Sequence, residues 1–326
     1  MPPHKGRHLP LRVGTRGSPL ALVQTREFLA MITHFCPVLR TPFLGDTPVF
    51  QEHVIRTTGD AEQTRRLADI GGKGLFAKEI HEAMLDGRID FAVHSLKDLE
   101  TELPPGIVLA CTLKREDARD ALILGPACGA FDPADPFACL PPASVIGTCS
   151  VRRQAQLLHQ RPDLRIALLR GNVQTRLERT ERGDFAASLL ALAGLRRLGL
   201  AERAGGVLNE ESMVPAACQG IVGVTVRAVD VELCELLSGI EDPEARAVST
   251  AERSMLALLD GSCRTPIGGH ARIMTDGRLY LTGLAAREDG SFLVKRSLSG
   301  LPEDAARIGA ELGAALRADC PADLFA

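Results

Sequence analysis

The feature that most constrains this chain is a recurring unit: a short apolar strand, a turn crowded with polar side chains, then an amphipathic helix. Leu11-Arg12-Val13-Gly14 runs into Thr15-Arg16-Gly17-Ser18-Pro19, after which Leu22, Thr25, Leu29 and Ile32 step along one helical face. Ser18 suits the helix cap and Pro19 its first turn. Residues 89–93 form an apolar run that ends in His94-Ser95-Leu96-Lys97-Asp98. Val145-Ile146-Gly147 leads to Thr148-Cys149-Ser150-Val151-Arg152-Arg153, and residues 166–169 lead to Arg170-Gly171-Asn172 with Arg176 on the helix that follows. Residues 185–190 lead to Ala193-Gly194-Leu195-Arg196-Arg197. Strands alternating with helices predict an α/β fold, and open α/β sheets bind ligands beyond the carboxyl ends of their strands, where these turns lie. Singly, Arg16 and Ser18 read as a surface cation and a simple cap, and the His94 to Asp98 cluster also reads as a capped turn. Arginine on successive strand ends favours an anion site, because guanidinium forks grip carboxylates in a bidentate way and helix N-termini attract anions.

Between these units the chain predicts a second strand over 49–57, a polar connection, and the segment Gly71-Gly72-Lys73-Gly74-Leu75-Phe76, which reads as a mobile lid or a plain loop. Gly74 follows the lysine where a phosphate loop needs Ser or Thr, so nucleotide binding is not supported. A helix is expected over 75–85, strands over 107–112 and 121–124, and a proline-rich loop over 126–142. The charged run Lys114-Arg115-Glu116-Asp117 and the stretch 213–220 read as two crossings between lobes, with a strand over 221–226 returning to the first. Asp242-Pro243 opens a long helix to Leu259; strands over 269–274, 279–286 and 292–298 are joined by Asp276-Gly277 and Asp289-Gly290 turns, and Pro302 opens a last helix. Three domains are expected: 1–113 with 219–240, then 114–218, then a small α+β unit over 241–326.

The loop Gly261-Ser262-Cys263-Arg264-Thr265-Pro266-Ile267-Gly268 sets one thiol beside a cation, which favours the thiolate and covalent chemistry; taken alone it reads first as a half-buried cysteine in a tight turn. The nine cysteines, at 36, 111, 128, 139, 149, 218, 234, 263 and 320, are scattered with no C-x-x-C pair and no histidine at zinc spacing, so they read as reduced thiols and no metal is expected. A net charge of -3 removes the general case for nucleic acid. No apolar run is long enough for a membrane span and the N-terminus lacks a secretory pattern, so a cytoplasmic protein is expected, and nothing in the sequence demands more than a monomer.

Taken together, His94 to Asp98, Gly71 to Phe76, Gly147 to Arg153, Leu169 to Asn172 and Gly261 to Gly268 resemble the porphobilinogen deaminase (hydroxymethylbilane synthase) family, in the family's order from about Leu11 to the C-terminus. The resemblance implies two lobes like type II periplasmic binding proteins, with mixed sheets, plus the C-terminal domain. It implies a dipyrromethane cofactor held by a thioether to Cys263, and a transferase that joins four porphobilinogens head to tail, releasing ammonia and then hydroxymethylbilane. Asp98 takes the catalytic role. Arg16, Ser18, Lys73, Phe76, Ser95, Lys97, Thr148, Ser150, Arg152, Arg153, Arg170, Arg176, Arg197 and Gln219 take the binding roles, and uroporphyrinogen-III synthase is the expected recipient of the product. Leu99-Glu100, Gly17, Cys149 and Cys218 stand where the family usually has a small apolar residue with proline, Gln, Ser and Gly. The rival readings are a non-catalytic two-lobed binding protein for a polycarboxylate and a thiol-dependent transferase without an assembled cofactor.

Overall fold

A computed structural model of the chain describes residues 9–36, 39, 43–44, 47–62, 74–259 and 265–325. Lys73, the two glycines before it and Cys263 lie outside the described residues. The described residues include fifteen strands: β1 (Leu11–Thr15), β2 (Phe43–Leu44), β3 (Thr47–Pro48), β4 (Phe50–Val54), β5 (Phe91–Ser95), β6 (Ile107–Thr112), β7 (Asp120–Leu124), β8 (Val145–Gly147), β9 (Arg165–Ala167), β10 (Ala187–Ala191), β11 (Gly206–Val207), β12 (Val222–Arg227), β13 (Ile267–Ile273), β14 (Leu279–Ala286) and β15 (Leu293–Gly300).

These strands form two five-stranded mixed sheets, ordered β4-β1-β5-β12-β6 and β11-β7-β10-β8-β9, a three-stranded sheet β13-β14-β15, and the ribbon β2-β3. In the first sheet β12 alone runs against its neighbours β5 and β6. In the second, β7 holds the same place against β10 and β11. The two sheets therefore share one plan, and in each the reversed strand lies at a crossing of the chain. The expected α/β class with two mixed sheets and a small C-terminal α+β part is what the structure shows.

Burial on both faces explains the apolar run Phe91-Ala92-Val93 in β5, at the centre of the first sheet. Phe91 and Val93 of β5 join Val13, Phe28 and Ile32 on one side, while Ala92 packs with Ile80, Met84 and Ile89 on the other. Gly14 allows that second layer to close, since a Cβ there would sit 2.4 Å from Ile89 Cδ1. The third core combines helices Pro243–Leu258 and Ala305–Asp319 with β14, and it also takes in Leu96 and Leu99, the apolar residues that flank Lys97 and Asp98. The turn at the end of β5 is thus seated on the C-terminal unit.

Several boundaries differ from expectation. The first-lobe helix is Lys78–Leu85, beginning after a turn at Gly74, whose φ of +78° is left-handed. Helix Val231–Ser238, capped by Asp230, was not expected and covers β12 and β6 through Leu233 and Leu237. β14 has the expected ends, whereas β15 runs two residues further, to Gly300. No described helix is long and apolar enough to cross a membrane.

Candidate functional site

The carboxyl ends of β1 and β5 lie side by side, because these strands pair in parallel. This places Arg16 beside the short 3-10 turn Leu96–Asp98. Arg16 Nη1 donates to Asp98 Oδ2 at 3.1 Å, Nε donates to Asp60 Oδ2 at 3.2 Å, and the guanidinium stacks 4.0 Å from the Phe76 ring centre. Burial would raise the Asp60 carboxyl, yet the Arg16 hydrogen bond and charge win and hold it below the usual carboxylate range. Arg16, Ser18, Phe76, Ser95, Lys97 and Asp98, with Gln24 and His94, line a cleft of about 460 Å³ counted out to open solvent. Ser18 caps its helix by accepting from Ala21 N at 3.3 Å, and Ser95 Oγ donates to Gln24 Oε1 at 3.0 Å.

Opposite stands a knot of charge built on Asp120, the first residue of β7, which has no solvent exposure. It accepts from Arg152 Nη2 at 2.8 Å, Arg153 Nη2 at 2.7 Å and Gln219 Nε2 at 2.8 Å. The backbone secures the same groups, with Arg152 Nη1 donating to Val214 O at 2.6 Å and Arg153 Nη1 to Leu189 O at 2.8 Å. Ser150, accepting from Arg153 N, caps the helix Val151–Gln160, and Thr148 Oγ1 accepts from Ser150 N at 3.1 Å, so the expected hydroxyls shape the turn. Burial pushes Asp120 up, but Arg152 and Arg153 override it and hold the carboxyl far below its ordinary value. One carboxylate shared between two guanidiniums leaves each short of negative charge. Burial and Arg153 accordingly hold Arg152 below the usual arginine value, despite Asp120.

Lys97 joins the two halves, its Nζ donating to Gln219 Oε1 at 3.1 Å. Desolvation, with Arg153 and Arg152, pulls its pKa below that of a free lysine against the opposing charges of Asp98 and Asp120, although the residue as a whole is exposed. Arg176 donates to Gly171 O at 2.8 Å and sits within electrostatic reach of Arg153, Arg170, Cys149 and Asp98; burial holds its pKa down too. Arg170 Nη2 donates to Gly59 O at 2.9 Å, linking the lobes. Arg197 pairs with Glu27 at 3.4 Å and donates to Gly220 O at 2.9 Å, so it fastens helix Leu192–Arg197 to the second crossing. Cationic groups outnumber carboxylates in this cluster, and Arg153 Nε is buried with no hydrogen-bond partner in the described structure. A site of that kind is completed by an anion.

Asp60, Asp120 and Gln24 belong to the site but were not singled out as candidates, and His94 was read only as part of the cluster that ends in Asp98. The signal for Asp120 was slight: one carboxylate just ahead of an apolar strand. Cys218 has φ +62°, in the region that favours glycine, and its N–H donates to the fully buried Glu252, which also accepts from Arg115 Nη1 at 2.6 Å. The glycine usual in the resembled family fits that backbone.

Residues 11–235 match the family model described as "Porphobilinogen deaminase, dipyromethane cofactor binding domain", and residues 247–318 match "Porphobilinogen deaminase, C-terminal domain". The chain is 46% identical over 305 residues to the porphobilinogen deaminase of Nitrobacter hamburgensis, covering 94% of this chain and 92% of the relative. It is 44% identical over 316 residues to that of Paracoccus denitrificans, covering 97% and 96%. The chloroplastic enzyme of Oryza sativa subsp. japonica is 45% identical over 290 residues, covering 89% and 78%. Among solved structures, an arginine transport system periplasmic binding protein from Legionella pneumophila aligns at 11% identity and a TM-score of 0.38, over 72% of this chain and 92% of that one; so weak a likeness adds nothing to the strand order above. With one family model spanning most of its length and relatives above 40% identity along nearly all of it, the chain belongs to the porphobilinogen deaminase family.

Proposed function

We propose that the cleft between β5 and the Asp120 knot joins porphobilinogen units head to tail, with Asp98 as the catalytic carboxylate and Cys263 as the attachment point of a dipyrromethane cofactor. The observation that carries this reading is Asp98 on the wall of a cleft that it shares with Arg16 and Lys97 and with the neutral polar groups of Ser18, Gln24 and Ser95. Each pyrrole unit bears an acetate and a propionate, so the unsatisfied positive charge around Arg153 and Arg176 fits the cofactor's chemistry. When bound, the dipyrromethane supplies the pyrrole carbon on which the product is extended. Arg152, Arg153, Arg170, Arg176 and Lys97 bind carboxylates, with Lys73, Ser18, Ser95, Thr148, Ser150 and Gln219 supporting them and Phe76 stacked on Arg16. Arg197 steadies the crossing beneath them.

Loss of ammonia from porphobilinogen leaves a cation delocalised over its ring. Asp98, held through one oxygen by Arg16, presents its other oxygen to the pyrrole N–H and stabilises that charge, then accepts the proton released as the new bond forms. Preorganised charge of this sort lowers a barrier by ~3 kcal/mol. Leu259 and Ile267, which flank the Cys263 loop, share a core with Leu96 and Leu99, and this supports a tether close to Asp98. Sheet membership likewise supports domains over 1–113 with 219–240, over 114–218 and over 241–326. We read the chain as a cytoplasmic monomer that passes its labile linear tetrapyrrole to uroporphyrinogen-III synthase.

Intact-mass measurement of the purified protein tests the central assignment. The expected result is a dipyrromethane adduct on Cys263, with ammonia released when porphobilinogen is added. Active protein of unmodified mass overturns it, and a non-catalytic binding protein would show neither adduct nor ammonia.

A further inference from the structure

We propose that Glu100 and His81 form a positioning pair for Asp98: a buried carboxylate and imidazole whose contact sets the far side of the turn that carries the catalytic group. Asp98 is fixed on its near side by Arg16, and the turn is held by Leu96 N donating to Ile221 O at 2.9 Å and Leu99 N to Leu96 O at 3.2 Å. Beyond Leu99 the strap consists of Glu100. Arg253, on the helix that leads toward Cys263, donates to Glu100 O at 2.6 Å and to Thr101 O at 2.8 Å. The Glu100 side chain lies over Gly74, where any Cβ would collide with its Oε1.

Glu100 Oε2 and both ring nitrogens of His81 are buried with no hydrogen-bond partner in the described structure, and His81 Nδ1 stands 4.0 Å from Glu100 Oε2. A donor and an acceptor left unmade at that separation are one small shift, or one bridging water, from satisfying each other, and leaving them apart is unfavourable. Burial holds His81 down to about 4 and raises Glu100, so the imidazole is neutral and still carries the N–H that the carboxylate lacks. The His81 ring lies 5.7 Å from that of His94, which lines the cleft and is itself anchored by a 2.8 Å bond between Nε2 and Thr225 Oγ1. The contact thus reaches the cleft wall as well as the Asp98 turn. Glu100 occupies a place where the resembled family usually has proline.

The inference rests on the role given to Asp98, and its test separates the two. In holoenzyme shown by intact mass to carry the adduct, His81→Phe and Glu100→Leu are each expected to lower kcat about tenfold, equivalent to ~1.4 kcal/mol, with KM for porphobilinogen nearly unchanged. The double variant is expected to be no slower than either single one. His81→Asn, which returns an N–H donor near Nδ1, is expected to restore most of the rate. Unchanged kcat in the single variants, additive losses, or a His81→Asn variant as slow as His81→Phe overturns the pairing. Failure of the parent protein to load the adduct or turn over would instead defeat the underlying functional reading.

Discussion

Replacing Asp120 by Ala removes the one carboxylate that two buried guanidiniums and the Gln219 amide share. Arg152 and Arg153 are both nearly inaccessible to water, so neither can recover its hydration. Taking one partner from a buried ion pair costs ~3–5 kcal/mol, because the charge left behind is uncompensated. For a folding unit of this size each kcal/mol moves the melting temperature by ~2–4 °C, so a fall of ~6–20 °C is expected at neutral pH. The effect should depend on pH with a definite sign. The folded-state pKa of Asp120 is depressed, so its contribution is complete above the unfolded carboxylate value of ~4 and disappears as pH falls toward the folded value. Calorimetric melting of parent and variant at neutral and acidic pH measures both effects. A shift under about 2 °C at neutral pH would show that the guanidiniums are served by backbone carbonyls alone.

Asp98→Asn is expected to retain the adduct mass and melting temperature but to lose turnover by ~10²–10³-fold; near-normal ammonia release would reject its role. His81, His94 and His270 are held by burial at about 4, 3 and 4, whereas unfolded imidazoles titrate near ~6.5. Protons therefore favour the unfolded chain, and stability should fall as pH drops from ~6.5 toward ~4, by up to ~1.4 kcal/mol per pH unit for each histidine. A melting temperature that stays level from about pH 7 to about pH 5 contradicts their neutral burial. At Cys218, whose φ is +62°, the Gly variant should be more stable than the Ala variant by ~1 kcal/mol, since both lose the sulfur and only glycine relieves the backbone; urea denaturation returning the opposite order would refute this.

The proposed catalytic face was legible because it is local: each strand ends within a few residues of its polar turn. Arg16, Ser95, Lys97 and Asp98 were found on that basis and share one cleft. What could not be read was pairing across distance. Asp120 looked like any strand-leading carboxylate, and only the packing of β7 against β10 brings Arg152 and Arg153 to it. The helix Val231–Ser238 carried a usable signal in its Asp230 cap, but eight residues between a strand and a longer helix give little periodicity. His81 and Glu100 belong to separate elements, and nothing in either segment announces the other.

The reversed strand β12 also dictates the order in which the molecule is assembled. His94 and Thr225, partners across β5 and β12, are separated by 131 positions, and the whole second sheet is encoded between them. At ~5–20 residues per second of synthesis, β5 emerges roughly 7–26 s before the strand that covers it. The leading half therefore waits with the β5 edge uncovered while the trailing half is made, and uncovered strand edges are where nascent chains associate.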